Sequence, residues 1–97
     1  MLKKALFVTI EIYEESTEEI TLLEKKLIDL KVSHRVTFKE YGIVEVTLEL
    51  PYKTTIARGH ERLIISLNMS TNDNIKIHTN SIYSINIEVG NTLKENI

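Results

Sequence analysis

Residues 32–50 have the sequence VSHRVTFKEYGIVEVTLEL, and their alternation decides how the rest of the chain can fold. Apolar and polar side chains alternate on both sides of the central EYG, which is typical of two half-buried β-strands. A three-residue loop built on a type I turn needs its last residue in the left-handed region, and Gly42 reaches that region without steric cost. The segment therefore predicts a hairpin with apolar pairs on one face, Phe38 opposite Val44 and Val36 opposite Val46.

The residues before the hairpin predict a strand followed by a helix. The alternation from Leu6 to Tyr13 indicates the strand. Ser16 and Glu19 have the spacing of a capping box, in which each side chain satisfies a free backbone N–H at the start of a helix. The helical spacing of the apolar residues that follow predicts one buried stripe, formed by Ile20, Leu23, Leu27 and Leu30.

The residues after the hairpin predict a second helix and two further strands. From residue 54 or 55 to about 69 the apolar residues recur at helical spacing, and the predicted buried face contains Ile56, His60, Leu63, Ile64 and Leu67. Residues 75–78 predict a short strand and residues 82–89 a longer one. We expect the longer strand to pair with the first strand, and the shorter one to lie at an edge or in a hairpin. The polar tail from Gly90 is expected to fray.

The resulting order of elements, β-α-β-β-α-β-β, predicts an α+β fold of the ferredoxin-like (split βαβ) type. In this two-layer fold an antiparallel-rich sheet carries two helices on one face, and its other face is open. We expect the first strand and the strand at 43–50 to be central and parallel. The whole chain of 97 residues is expected to form a single domain. Because enzymes, RNA binders, sensors and adaptors all use this fold, it does not choose among functions.

Composition argues against several classes of protein. The formal net charge of −2 gives no strong field that would attract nucleic acid or a membrane. The lack of cysteine excludes disulfides, thiolate nucleophiles and thiolate metal sites. No apolar run approaches the roughly 20 residues of a membrane span, and the short alternating run near the start does not fit a signal sequence. We therefore expect a cytoplasmic protein without a membrane partner.

The histidines do not predict a metal site. His34 and His60 are expected on the inner side of the fold and His78 on the outer side, so the three imidazoles do not converge. No His-x-x-x-His spacing and no cysteine completes a ligand set. The chain also has no phosphate loop and no dinucleotide fingerprint. We expect neither a metal nor another cofactor.

Paired carboxylates give little support for catalysis. Glu45 and Glu49 share the outer face of a strand, but four residues separate them by roughly 13 Å. Glycoside hydrolysis with two carboxylates needs about 5 to 9.5 Å. A hydrolase that uses Glu11 and His60 is a third and weaker hypothesis. The sequence therefore favours a non-enzymatic protein.

The open sheet face is predicted to contact protein. Phe7 and Tyr13 would suit base stacking, but the acidic Glu45 and Glu49 repel phosphate, so nucleic-acid binding is not expected. Phe7 and Ile43 are apolar side chains on a face without cover, which suits sheet-to-sheet dimerisation or the docking of another protein. Our first hypothesis is a regulatory or interaction module that forms a homodimer, with the predicted surface residues Phe7, Tyr13, Ile43, Glu45 and Glu49.

The alternative hypothesis is a sensor of a small anionic ligand, such as a nucleotide or phosphate, with its site between subunits. Its predicted binding residues are Arg58, His60 and Arg62 on the second helix. Other apolar residues are expected to face away from the core, namely Leu22, Ile65 and Met69 on the helices and Ile82 on the last strand.

Overall fold

A computed structural model describes residues 2–68 and 70–93 of the chain. No helix in these ranges is both long enough and apolar enough to cross a membrane. The described residues form one α-helix, one short 3-10 turn and seven strands, an α+β structure that is mostly β. In chain order the elements are β1 (Leu2–Tyr13), α1 (Thr17–Asp29), β2 (Ser33–Lys39), β3 (Ile43–Pro51), β4 (Thr55–Arg58), β5 (Arg62–Asn68), β6 (Asp73–His78), the 3-10 turn (Thr79–Ser81) and β7 (Ile82–Leu93).

The strands form two antiparallel sheets. The first has the order β2-β3-β1-β7 and the second the order β4-β5-β6. β1 pairs with β3 on one side and with β7 on the other. β1 and β3 are therefore the central strands of the larger sheet, but they run antiparallel, whereas we expected them to run parallel.

The predicted ferredoxin-like fold with two helices is wrong, because the segment expected to form the second helix forms β4 and β5. These strands are joined by a turn in which the N–H of Gly59 donates to the carbonyl of Arg62 at 2.9 Å. In β5 the fully buried Leu63 and Ile65 flank the half-buried Ile64, which is a period of two. The apolar residues of this segment fit both the helical period of about 3.6 residues and the strand period of two, and its β-branched residues favour the strand.

The core lies between the four-stranded sheet and a second layer made of α1 and the three-stranded sheet. The four-stranded sheet contributes inward-facing residues of β1 and β3 with at most 1% exposure: Val8, Ile10, Ile12, Val44, Val46, Leu48 and Leu50. The second layer contributes Ile20, Leu23, Leu27, Leu63, Ile65, Ile75 and Ile77. Ile65, which we expected to face away from the core, is therefore part of it.

The hairpin of β2 and β3 confirms the predicted register but not the predicted turn. Gly42 has a φ of 70°, as the loop requires. Tyr41 also has a positive φ, 64°, whereas a type I turn has negative φ at both central residues. The loop therefore contains two left-handed residues in succession. The expected pairs are present: Phe38 with Val44, and Val36 with Val46.

The helix α1 confirms the predicted buried face but not the predicted cap. Ile20, Leu23 and Leu27 are buried, whereas Leu22 is 57% exposed. Ser16 occupies the N-cap position without a side-chain hydrogen bond. Oε1 of Glu19 instead accepts the backbone N–H of His78 at 2.8 Å. Glu19 thus connects the helix to the end of β6, and the capping box is wrong.

The last strand confirms the predicted pairing with β1, and β6 lies at an edge as expected. The expected fraying from Gly90 is wrong, because β7 stays paired as far as Leu93; residues 94–97 lie outside the described residues. Between Ser84 and Ile82 the register with β1 shifts, which leaves Tyr83 as an extra residue. The shift turns Ile82 into the core, where it is 7% exposed, instead of outward as we expected.

Candidate functional site

The centre of the open sheet face is a charged network. Nζ of Lys39 lies 3.2 Å from Oε2 of Glu11 and 3.3 Å from Oε2 of Glu45. The hydroxyl of Ser84 donates to Oε1 of Glu11 at 2.5 Å. The hydrogen bond from Ser84, followed by that from Lys39, lowers the pKa of Glu11, and Glu11 and Glu45 raise the pKa of Lys39. The network joins side chains from all four strands of the sheet.

The predicted surface residues do not form one apolar patch. Tyr13 and Ile43 are paired residues at one end of the face, while Phe7 lies six residues away along β1, roughly 20 Å at strand spacing. Ile43 is only 8% exposed. The ring of Tyr13 meets the ring of Tyr83 edge to face, with centroids 5.8 Å apart. The charged network separates the two ends.

The two predicted surface glutamates also lie apart. Glu45 belongs to the charged network through Lys39. Glu49 on β3 pairs with Phe7 on β1, and its Oε1 accepts a hydrogen bond from the hydroxyl of Thr92 on β7 at 3.4 Å. Both carboxylates therefore already interact with side chains of the same sheet, Glu45 with Lys39 and Glu49 with Thr92.

The residues predicted to bind an anion lie on the hairpin of β4 and β5. Arg58 ends β4, Arg62 starts β5, and His60 is exposed in the turn between them. The expected buried position of His60 is wrong, because it depended on the second helix. Of these three residues, Arg62 also borders a cleft in the second layer.

This cleft has a volume of about 430 Å³ and lies between α1 and β6. Its floor is apolar, with Leu23 and Ile75. Its rim combines four cations, two carboxylates and a histidine: Lys25, Lys26, Arg62, Lys76, Glu19, Asp29 and His78. The four cations form no ion pair with any other described residue. Sequence reasoning missed this site, because β6 was not expected beside the first helix.

The exposed side of β7 is the second surface that sequence reasoning missed. Ile87 and Val89 are 46% and 58% exposed, although their partners on β1, Val8 and Leu6, belong to the side of the sheet that packs on the core. The second layer therefore stops short of this edge. The signal in the sequence was the alternation of Ile85, Ile87 and Val89 in the last strand. Met69, another predicted exposed residue, lies outside the described residues.

The histidines lie in separate elements, His34 on β2, His60 in the β4–β5 turn and His78 at the end of β6. Nδ1 of His34 lies 2.8 Å from the carbonyl oxygen of Val32. Within residues 2–68 and 70–93, no group of three acidic or histidine side chains is placed to hold a metal ion.

Comparison of the chain with protein-family models, with curated proteins and with solved structures found no match.

Proposed function

We propose that the protein is a non-enzymatic interaction module that self-associates by antiparallel pairing of β7 with β7 of a second copy. The observation that carries the proposal is the exposed apolar side of β7, a twelve-residue strand at the edge of its sheet. Ile87 and Val89 are about half exposed there. A long apolar strand with an unpaired edge is a template for pairing with another chain.

The other sheet edges suit this role less well. β2 has seven residues and carries Arg35 and Lys39, and charged side chains discourage pairing between edges. β4 has only four residues. β6 has α1 beside it, which leaves no room for a second folded domain. β7 is therefore the edge that best fits a second copy.

One register suits self-pairing particularly well. With Ile87 opposite Ile87 of the second copy, Ile85 lies opposite Val89 and Asn86 opposite Glu88, so no like charges face each other. Within one chain, Nδ2 of Asn86 already donates to Oε1 of Glu88 at 3.1 Å, and the pair across the interface would have the same chemistry. The two-fold axis stands perpendicular to the sheet, so the apolar residues of both copies lie on one continuous surface.

The edge is a better contact than the open face that the sequence suggested. The centre of that face holds the network of Lys39, Glu11 and Glu45, and covering it would desolvate three charged groups. Pairing along β7 buries apolar side chains and backbone groups instead. In a dimer that pairs through β7, Phe7 and Tyr13 on the open face would lie outside the interface.

The substitution Ile87→Lys tests the proposal. It places two ammonium groups opposite each other across the two-fold axis and removes an apolar contact. We expect wild type to sediment as a dimer over a concentration series, and Ile87→Lys to sediment as a monomer. Phe38→Lys is the matched control, because Phe38 is 71% exposed on the opposite edge strand. It should remain dimeric, and thermal melting should show that both variants are folded.

Mixing two variants tests the register. Ile87→Glu alone should also be monomeric, whereas an equimolar mixture of Ile87→Lys and Ile87→Glu should form a heterodimer, because position 87 faces itself. A wild type that sediments as a monomer at every concentration contradicts the proposal. So does a folded Ile87→Lys variant that dimerises as well as wild type.

A further inference from the structure

Two tyrosines meet at the end of the four-stranded sheet where α1 begins. Tyr13 ends β1, and Tyr41 lies in the loop between β2 and β3. The backbone connects these two segments, because the N–H of Glu14 donates to the carbonyl of Gly42 at 2.8 Å. Tyr13, Glu14, Glu15, Tyr41 and Gly42 border one open depression with a volume of about 500 Å³, the tyrosine depression.

The aromatic rings of the tyrosine depression contribute little to the core. Tyr41 is 94% exposed, so its ring adds almost no buried area to the fold. Its backbone has a φ of 64°, a conformation that is costly for a bulky residue and that asparagine or glycine adopts more easily. Tyr13 is half-buried, and its edge-to-face contact with Tyr83 holds its ring in place. Folding alone therefore does not explain a tyrosine at position 41.

The charge of the tyrosine depression is negative. Glu14 and Glu15 are exposed, and neither carboxylate forms an ion pair or a hydrogen bond with another described residue. Both residues precede Ser16, the N-cap of α1, and the first turn of the helix has its own acidic residues, Glu18 and Glu19. An aromatic surface beside two unpaired carboxylates suits a cation.

We infer that the tyrosine depression binds a basic segment of a partner protein, with an arginine side chain in contact with Tyr13 and Tyr41. A guanidinium is planar, so it can stack on a phenol ring while its N–H groups donate to the carboxylates of Glu14 and Glu15. The same carboxylates repel an acidic segment or a phosphate. The inference concerns the end of the sheet, not the paired edge of β7, and does not depend on self-association.

The probe for this site is a fluorescein-labelled, amidated peptide of sequence Arg-Gly-Arg-Gly-Arg, titrated with the whole protein and followed by fluorescence anisotropy. A salt concentration of about 0.15 M screens exposed charges that lie more than about 8 Å apart, so the net charge of the protein contributes little. We expect saturable binding to wild type. The affinity should be about two- to fivefold lower for Tyr41→Asn, which removes one exposed cation–π contact.

Two controls accompany Tyr41→Asn. Thermal melting should show that this variant is at least as stable as wild type, because asparagine tolerates a positive φ. Tyr52→Asn is the matched substitution, because Tyr52 is 49% exposed and lies outside the tyrosine depression. It should bind the peptide as wild type does. Equal losses of affinity in Tyr41→Asn and Tyr52→Asn would overturn the site.

A double variant tests the carboxylates. Glu14→Gln with Glu15→Gln should lower the affinity about fivefold, since it removes two exposed charge pairs. Glu24→Gln with Asp29→Asn is the matched control, because it makes the same change in net charge on α1 outside the tyrosine depression. Equal losses in the two double variants would mean that the peptide responds to net charge and not to this site.

A second peptide tests the arginine contact. Lys-Gly-Lys-Gly-Lys has the same charge and should bind more weakly, because an ammonium group cannot stack on a ring as a guanidinium does. Equal binding of the two peptides would overturn the arginine contact, and a wild type that binds neither peptide would contradict the whole inference. Ile87→Lys should bind the arginine peptide as wild type does, which separates this inference from the proposed dimer.

Discussion

Gly90 lies directly beneath the ring of Phe7 on the open sheet face. A Cβ atom at position 90 would lie 2.7 Å from Cε2 and 2.9 Å from Cδ2 of that ring. These distances are well below a van der Waals contact, so a side chain at position 90 and the present ring position exclude each other. The glycine thus allows the ring of Phe7 to lie against the backbone of β7.

Gly90→Ala should therefore destabilise the protein by about 1–3 kcal/mol, which is the usual cost of overpacking. In a Phe7→Ala background the same change should cost less or even stabilise, since alanine is otherwise preferred to glycine in a strand. The measurement is a double-mutant cycle by urea denaturation. Equal costs in the two backgrounds would show that the ring moves away freely.

The helix α1 presents two faces with different consequences for stability. Leu27 is fully buried in the core, whereas Leu22 on the same helix is 57% exposed. The two residues have the same helix propensity, so a comparison between them isolates the effect of burial.

Leu27→Ala should lower the free energy of unfolding by about 2–5 kcal/mol, because it removes apolar contacts and leaves a cavity. Leu22→Ala should change it by less than about 0.5 kcal/mol, as for most surface substitutions. Urea denaturation of both variants measures the difference. Similar losses for the two would mean that α1 does not pack on the sheet with the Leu27 face.

The elements whose apolar pattern fits only one period, helical or strand, could be predicted from the sequence. The hairpin register followed from strict alternation around Gly42, and the stripe that contains Leu27 followed from helical spacing. Residues 55–69 could not be assigned in the same way, because Leu63, Ile64 and Leu67 satisfy both a helical and a strand period. Packing against β6 decides between them, and that contact is not local in sequence. The bulge at Tyr83 likewise turns Ile82 to the other face of the sheet, and no feature of the sequence predicted this bulge.

The candidate surfaces were harder to predict than the fold. Exposure of Ile87 depends on where the second layer ends, and the cleft beside β6 depends on two strands that the sequence assigned to a helix. The charged network at the centre of the open sheet face was not predicted either. This network depends on Lys39, which lies diagonal to Glu45 across the hairpin and contacts both Glu45 and Glu11.

At the scale of the whole molecule, the network of Glu11, Ser84 and Lys39 couples stability to pH. Folding lowers the pKa of Glu11 from its ordinary value of 4.5, chiefly through the hydrogen bond from Ser84. A carboxyl with a lowered pKa in the folded state stabilises that state above its unfolded pKa. This contribution is lost as the pH falls through the lower, folded pKa.

Ser84→Ala should therefore destabilise the protein at neutral pH, and the difference from wild type should shrink as the pH falls below 4.5. Urea denaturation at several pH values measures this difference. Ser33→Ala is the control, because the hydroxyl of Ser33 makes no hydrogen bond with the described residues. A Ser84→Ala effect that stays constant with pH would mean that the hydroxyl does not act through the charge of Glu11.

The position of β1 between β3 and β7 also orders events during synthesis. As the chain leaves the ribosome, β1 appears first and β3 can pair with it soon afterwards, but β7 is made last. Until then one side of the central strand has no neighbour, and the nascent sheet offers its inner edge to any other strand nearby. The edge of β1 that is most exposed to mispairing during translation is therefore fully paired with β7 in the folded protein.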